Sequence, residues 1–414
     1  MPGIQLGSGL NSLGRGKIST APYVSDTYFE REKAIWKNSW LVAGLLSDLK
    51  VAGDYITFDF PLVHASVIVT RGKDTKLRAF HNVCSHRSGR IICDKAAHGH
   101  TKFLTCPFHG WVFDLDGKLR SISKESIFEG LPPKSELGLH EISVDTWGGF
   151  VFINLSDSPE HSLAAYMQGL PATLHAYLQD RPWSWYTGYS ETFDANWKDL
   201  INIQHEGYHA TFLHRNTLAV DFAPQDCANT IFPNSPGVCS LLTVSRPDMP
   251  GDPIARLSPI QKLSMKHGRT SNWVENDTSS AATAYPGAVN HLNSNRWVFD
   301  CYTIFPNLLL FVGASVLSVM RVWPISAHKT AWEWDWFFDH KATNFGELFN
   351  LEHGRLATRN ALAEDWGIIG LVHENMRSGV FPEMNVAQDM EATVRALYEK
   401  LITQVPLQKQ DYLP

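Results

Sequence analysis

Apolar and polar positions along the chain change their period repeatedly. Over residues 27–40 (TYFEREKAIWKNSW), Phe29, Ala34, Ile35 and Trp36 recur at helical spacing. Residues 1–26 lack that pattern and start Gly- and Ser-rich, which predicts a flexible tail. From about 41 to 155 the runs are short: Tyr55-Ile56-Thr57-Phe58 and Ser66-Val67-Ile68-Val69 read as strands. Asp116-Gly117 reads as a hairpin turn, and Gly148-Gly149 precedes a further strand, FVFINL. The result is a small β domain with His- and Cys-rich loops.

Residues 156–182 read as helix, and WSWYTGYSETF reads as a strand. A helix then starts near Asn196, with Asp194 or Asn196 placed to cap it. Residues 215–295 are rich in Pro, Ser and Asn and show no clear period. Residues 296–340 are strongly β. There Trp332, Trp334 and Trp336 alternate with Glu333 and Asp335, so one face is aromatic and the other acidic. Helices dominate from about 343 to 404. The expected division is 1–40 as tail and helix, 41–155 as the small β domain and 156–414 as the larger domain.

The length of 414 residues supports that division, because one ordinary core does not grow so large. With 36 basic against 42 acidic residues the formal charge is −6 and no basic stripe appears, which argues against nucleic acid as a partner. The first 20 residues lack a signal-like apolar core, and the longest apolar stretch, Leu308–Met320, is too short to span a bilayer. A soluble, cytoplasmic protein is expected. Its six Cys are few and spread out, and some lie near His, which points to metal rather than disulfides.

The strongest motif is Cys84-Ser85-His86, then 19 residues, then Cys106-Pro107-Phe108-His109. A Rieske [2Fe–2S] centre needs two thiolates on one iron and two imidazoles on the other, and each short motif supplies one of each. Zinc is the rival, but a zinc finger groups its Cys together and its His together. Cys93, His98 and His100, in the same region, do not fit the pattern and read as structural.

Further on come Asn196-Trp197-Lys198, Glu206-Gly207-Tyr208-His209 and His214. Two His and one carboxylate on one face of Fe(II) make the non-haem oxygenase site. On an ideal helix residues five apart point about 140° apart, so His209 and His214 can share an iron only where the helix ends or distorts. His205 competes as a ligand, and a His pair at this spacing is often structural. The carboxylate must come from elsewhere. Glu364-Asp365 offers one, although such a pair is often just a solvated helix face.

Together, CSHR…CPFHGW, NWK, E-x-Y-H-x-x-x-x-H and the late ED pair resemble the α subunit of Rieske non-haem iron aromatic-ring-hydroxylating oxygenases, over about residues 28 to 380. The resemblance implies an α+β chain: a small all-β Rieske domain and a helix-grip catalytic domain, with an antiparallel sheet around a long helix. It implies one [2Fe–2S] cluster on Cys84, His86, Cys106 and His109, with Trp111 beside it. It also implies one Fe(II) on His209, His214 and Asp365. Glu206 falls on the family's carboxylate linking the cluster of one subunit to the iron of its neighbour, and Asn202 and Tyr208 join the catalytic candidates. A homotrimer is implied, with a β subunit possible. The partners implied are a reductase that passes on NAD(P)H electrons, with or without a ferredoxin, and a small-molecule substrate. Two positions depart from the family: His86-Arg87-Ser88-Gly89 stands for HRG, and Asn202-Ile203 stands where an acid and Asn are usual.

The activity implied is oxygenation of an aromatic or other hydrophobic molecule, to a hydroxylated ring or cis-diol. The pocket is expected to be lined from the iron helices and the apolar strands around Phe305–Phe311. Trp332, Trp334 and Trp336 raise the alternative of a cation–π cage for a quaternary amine undergoing dealkylation, although an aromatic strand face is commonly core. A pure Rieske electron carrier needs only the small β domain. An inactive interaction protein would be expected to have lost Asp365 or one of the two His.

Overall fold

Two compact units make up the chain: residues 33–166, and residues 1–32 together with 167–414. Their boundaries thus lie near, but not at, the 40/41 and 155/156 positions expected from periodicity. The structure, a computed structural model, describes residues 4–5, 7–93, 97–218, 222–247, 257–268 and 285–412.

The smaller unit is mainly β, its α-helix confined to the end of Asp26–Asn38 and the single turn Leu163–Tyr166. Its seven-stranded antiparallel sheet runs in the order Trp40–Leu45, Phe150–Asn154, Glu141–Trp147, Leu77–His81, Ala65–Arg71, Asp54–Phe60, His98–His100. A three-stranded sheet, Leu104–Thr105, Val112–Phe113 and Leu119–Ser121, carries the hairpin at Asp116-Gly117. Gly117 has φ +81°, the left-handed backbone that such a turn needs. Cys84 and Cys106 belong to the buried core itself, beside Tyr55, Ile68, Phe80, Trp111 and Phe113.

The larger unit holds a second seven-stranded antiparallel sheet: Ser184–Phe193, Lys329–Phe338, Val316–Ser326, Leu308–Gly313, Trp297–Ile304, Val238–Ser245, Cys227–Ile231. The last two strands lie in the stretch that showed no period. Val238–Ser245 is buried at all eight positions, and a strand covered on both faces loses alternation. Trp332, Trp334 and Trp336 point inward as their alternation predicts. On the other face, Arg321 pairs with both Glu333 and Asp335.

Against this sheet lies the 33-residue helix Phe345–Arg377, started by Asn344, whose side chain accepts from Glu347 N at 3.0 Å. Tyr186 bonds Glu352, and Phe193 and Trp332 pack on Trp366. This is the helix-grip arrangement. The helix Trp197–Gln204 packs on both the long helix and the strand Val316–Ser326. Asn196, rather than Asp194, caps it: its Oδ1 accepts from Lys198 N at 3.1 Å, and Asp199 accepts from Asn196 N at 3.2 Å.

Two expectations are corrected. The N-terminal tail is not loose over its described part. Ile18–Ser19 pairs with Glu383–Met384, and Tyr23 is fully buried and accepts from Asn202 Nδ2 at 2.9 Å. The helix expected over 156–182 is two short ones, Leu163–Tyr166 and Ala172–Asp180, separated at Gly169 (φ +106°) and Pro171. Among the described residues no helix is long and apolar enough to cross a membrane.

Candidate metal centres

In the small unit two loops of near-identical backbone bring the cluster candidates together. In the first, Cys84 N donates to Gly89 O at 2.8 Å and Ser88 N to Cys84 O at 3.0 Å. In the second, Cys106 N donates to Trp111 O and Gly110 N to Cys106 O, both at 2.9 Å. Each turn needs a left-handed residue four positions after its Cys: Ser88 (φ +56°) and Gly110 (φ +70°). The extra Ser in His86-Arg87-Ser88-Gly89 therefore occupies a glycine-favouring position, and Gly89 follows it. A Cβ on Gly89 would stand 3.1 Å from Cys106 Sγ, so the glycine keeps the loops close.

The rings of His86 and His109 lie 4.6 Å apart, and Trp111 stacks on His86 at 4.8 Å with planes 9° apart. His86 Nδ1 is buried and has no hydrogen-bond partner. Burial pushes the Cys84 thiol up to about 11 and the His86 imidazole down, so burial disfavours the thiolate and favours the neutral ring. Two thiols and two imidazoles on facing loops, with a ring nitrogen left unsatisfied, fit a [2Fe–2S] group. Cys93 is exposed, and His100 bonds Asp54 at 2.9 Å.

In the large unit the helix Trp197–Gln204 stops at His205, and a single turn, Ala210–Leu213, follows Glu206-Gly207. His209 flanks this turn before its start and His214 after its end, so neither is bound to one ideal cylinder. Their Nε2 atoms lie 3.2 Å apart, and Asp365 Oδ1 lies 3.5 Å from the first and 3.1 Å from the second. All three ligand atoms fall within 4.8 Å of one another.

Both imidazoles have a carboxylate behind them. Glu206 Oε1 accepts from His209 Nδ1, and Glu364 Oε2 accepts from His214 Nδ1 at 2.9 Å. With protons on both Nδ1 atoms, two Nε2 lone pairs and Asp365 Oδ1 converge with no proton between them. Such a set calls for a cation. Gln204 Nε2 donates to Asp365 Oδ2 at 2.8 Å, which turns Oδ1 toward the imidazoles. Burial alone would pull the His214 pKa down, but the hydrogen bonds and charges of Asp365 and Glu364 hold it above its ordinary value.

The other candidates stand apart. His205 is fully buried, with Nδ1 on Thr303 Oγ1 at 3.1 Å, and burial pulls its pKa to about 3. It does not join the metal-ligand group. Asn202 lies two residues, about 200°, around the helix from Gln204; it bonds Tyr23 and does not line the cavity described below. Tyr208 is exposed and gives the site only its backbone N–H, to Glu206. Reading the sequence missed Gln204, which no pattern marks. It also missed Glu364 as the His214 partner, although an acid one residue from a ligand on a helix is a usable signal.

A cavity of about 460 Å³ opens from these ligands between sheet and helix. Its wall includes Phe299, Phe311, Val316, Met320, Trp334 and Trp336 from the strands and Ala357, Thr358 and Ala361 from the long helix. Phe311 lies in the wall as expected. Phe305 and Trp332 do not line the cavity; Trp332 packs on Trp366.

Family models match two stretches: a ring hydroxylating α subunit (catalytic domain) over residues 174–406 and a Rieske [2Fe–2S] domain over residues 39–132. Choline monooxygenase of Spinacia oleracea is 31% identical over 198 residues, 47% of this chain and 44% of that protein. The carnitine monooxygenase oxygenase subunit of Escherichia coli is 31% identical over 46% of this chain and 50% of its own length. The glycine betaine monooxygenase oxygenase subunit of Pseudomonas aeruginosa is 27% identical over 74% and 70%. The chain thus spans about half the length of the first two. Among solved structures, a quaternary ammonium Rieske monooxygenase superposes with TM-score 0.71 at 21% identity, covering 94% of both chains. Naphthalene 1,2-dioxygenase from Rhodococcus sp. superposes with TM-score 0.70 at 18% identity and the same coverage. At these identities the structures show a shared fold.

Proposed function

The chain belongs to the ring-hydroxylating α-subunit family, with a Rieske [2Fe–2S] domain ahead of the catalytic domain, and on that premise we propose that it is the terminal oxygenase of a multicomponent system. The observation that carries this reading is the convergence of His209 Nε2, His214 Nε2 and Asp365 Oδ1 at the end of an apolar cavity. When bound, the [2Fe–2S] cluster supplies one-electron transfer and the iron supplies O₂ activation.

The chain's own residues do the rest. Cys84, Cys106, His86 and His109 would hold the cluster, with Trp111 fixing the plane of His86. His209, His214 and Asp365 would hold the iron on one face and leave the cavity side open. Glu206 and Glu364 fix the Nδ1 protons, which aims both Nε2 atoms. The apolar wall excludes water and positions the substrate. A hydroxylation balances as R–H + O₂ + 2e⁻ + 2H⁺ → R–OH + H₂O. The electrons come from NAD(P)H through a reductase, directly or through a ferredoxin. Glu206 has one oxygen on His209, and we assign it the link to the cluster of a neighbouring subunit in a trimer.

An aromatic-hydrocarbon substrate finds no support in the names of the curated relatives, which are choline, carnitine and glycine betaine monooxygenases. Trp334 and Trp336 in the cavity wall favour a second reading, oxidation of a quaternary ammonium compound.

The test is turnover under ¹⁸O₂ with a matched reductase, and iron counted per chain. Label in product and three irons per chain are expected. Bound zinc without visible absorption, or oxygen derived only from water, would overturn the proposal. Glu206→Gln keeps an acceptor for His209 Nδ1 and should keep iron while losing coupled turnover; full activity would remove the bridging assignment.

A further inference from the structure

The two oxygens of Asp365 are unequal. Oδ1 lies 3.1 Å from His214 Nε2 and 3.5 Å from His209 Nε2, and it is buried with no hydrogen-bond donor. Oδ2 is already taken: it accepts from Gln204 Nε2 at 2.8 Å. The amide must present its nitrogen here, because an amide oxygen at that distance from a carboxylate would repel it. An N–H on a carboxylate is charge-assisted and roughly twice as strong as a bond between neutral groups. Turning Oδ2 toward the imidazoles would break it and leave a buried amide N–H without an acceptor.

Gln204 cannot follow the carboxylate. It is the last residue of the helix Trp197–Gln204, and the residue after it is held from two sides. His205 Nδ1 meets Thr303 Oγ1 at 3.1 Å, and His205 O accepts from Thr393 Oγ1 at 2.5 Å. Thr303 belongs to the strand Trp297–Ile304 and Thr393 to the helix Ala392–Gln404. Asp365 is fixed as well: it lies within Phe345–Arg377, and Phe193 and Trp332 pack on the next residue, Trp366. The Gln204–Asp365 bond is therefore a strut between two fixed backbones. Gln204 also lines the cavity, so it borders both the carboxylate and the space that substrate enters.

We infer that Gln204 is a positioning residue that limits Asp365 to ligating iron through Oδ1 alone. It thereby keeps open a position at the metal that a second carboxylate oxygen would take. This deepens the oxygenase reading and rests on it.

Infrared spectra of the cluster-loaded full chain, made with ¹³C-labelled aspartate and recorded before and after Fe(II) is added, test it. Asp365 is the aspartate of the ligand group, and Glu206 and Glu364 carry no label, so labelled bands that respond to iron report Asp365. A carboxylate bound through one oxygen has widely separated antisymmetric and symmetric stretches; one bound through both has them close together. The unchanged protein should give the wide pair. Gln204→Met, of similar length but without an N–H, should load iron at saturating Fe(II) and give the narrow pair. Gln204→Asn, one methylene too short to reach Oδ2, should do the same. A narrow pair in the unchanged protein, or a wide pair in either iron-loaded variant, would overturn the inference. So would loss of iron from both variants, because a residue that only directs one oxygen is not needed for iron to bind. Failure of the oxygenase reading looks different: labelled bands unmoved by iron, with the cluster present, would mean that Asp365 is no ligand.

Discussion

Removing the carboxylate behind His214 should loosen iron without touching an iron ligand. Glu364 Oε2 accepts from His214 Nδ1 at 2.9 Å and from Thr217 Oγ1 at 2.6 Å, and the His214 side chain is only 6% exposed. Glu364→Ala leaves the buried Nδ1–H without its acceptor and the ring free to turn. Loss of such a partner lowers metal affinity about 10–100-fold, or about 1.4–2.8 kcal/mol. Glu364→Gln keeps an acceptor oxygen but not the charge and should lose less. Thr217→Val removes only the hydroxyl that steadies Glu364 and should lose least. The assay is dialysis against graded chelator, reading released ferrous iron while the visible absorption of the cluster serves as internal control. The expected order of release is Ala first, then Gln, then Val, then the unchanged protein. If the alanine variant gives up iron at the same chelator concentration as the unchanged protein, Glu364 does not orient His214.

Three other outcomes follow from the same structure. Ser88 holds the left-handed position that Gly110 holds in the sister loop, so Ser88→Gly should stabilise the cluster loop by about 0.5–1 kcal/mol, seen as later bleaching of the cluster on heating; earlier bleaching refutes it. Glu32 and Lys198 form a 2.5 Å ion pair with both side chains fully buried, so Glu32→Ala should cost about 3–5 kcal/mol in denaturant melts, and Glu32→Met with Lys198→Met markedly less. In iron-free protein the raised pKa of His214 contributes stability that is present below the ordinary imidazole value of about 6.5 and is lost as pH rises through the raised value. Iron must displace that proton, so the gain in melting temperature on adding Fe(II) should grow as pH rises through that window; a pH-independent gain refutes it.

The two facing Cys–His loops were legible because their residues sit in two short, contiguous motifs, and local spacing survives folding. The Trp332–Trp336 face was legible for the same reason: a strand writes its two faces as alternate residues. What stayed hidden depends on contacts between distant residues. Val238–Ser245 is buried on both faces and so shows no alternation. Gln204 reaches Asp365 across 161 positions, and Tyr23, in a stretch that reads as loose tail, meets Asn202 across 179. The His209–His214 pair was half legible. Spacing demanded a break in the helix, but only the fold shows that it falls at His205–Gly207, before a separate turn.

The helix Phe345–Arg377 also works as a ruler with its zero at Asp365. It is stiff and graduated at about 5.4 Å per turn, and its marks near Ala361, Thr358 and Gly354 bear no ligand to the iron. A bulky side chain set at one mark stops a long molecule there and decides which of its carbons lies at the metal. On the proposed reading, moving that stop by one turn would change which carbon is oxidised. On the proposed oxygenase reading, product identity would therefore drift by single substitutions on this face while His209, His214 and Asp365 stay as they are.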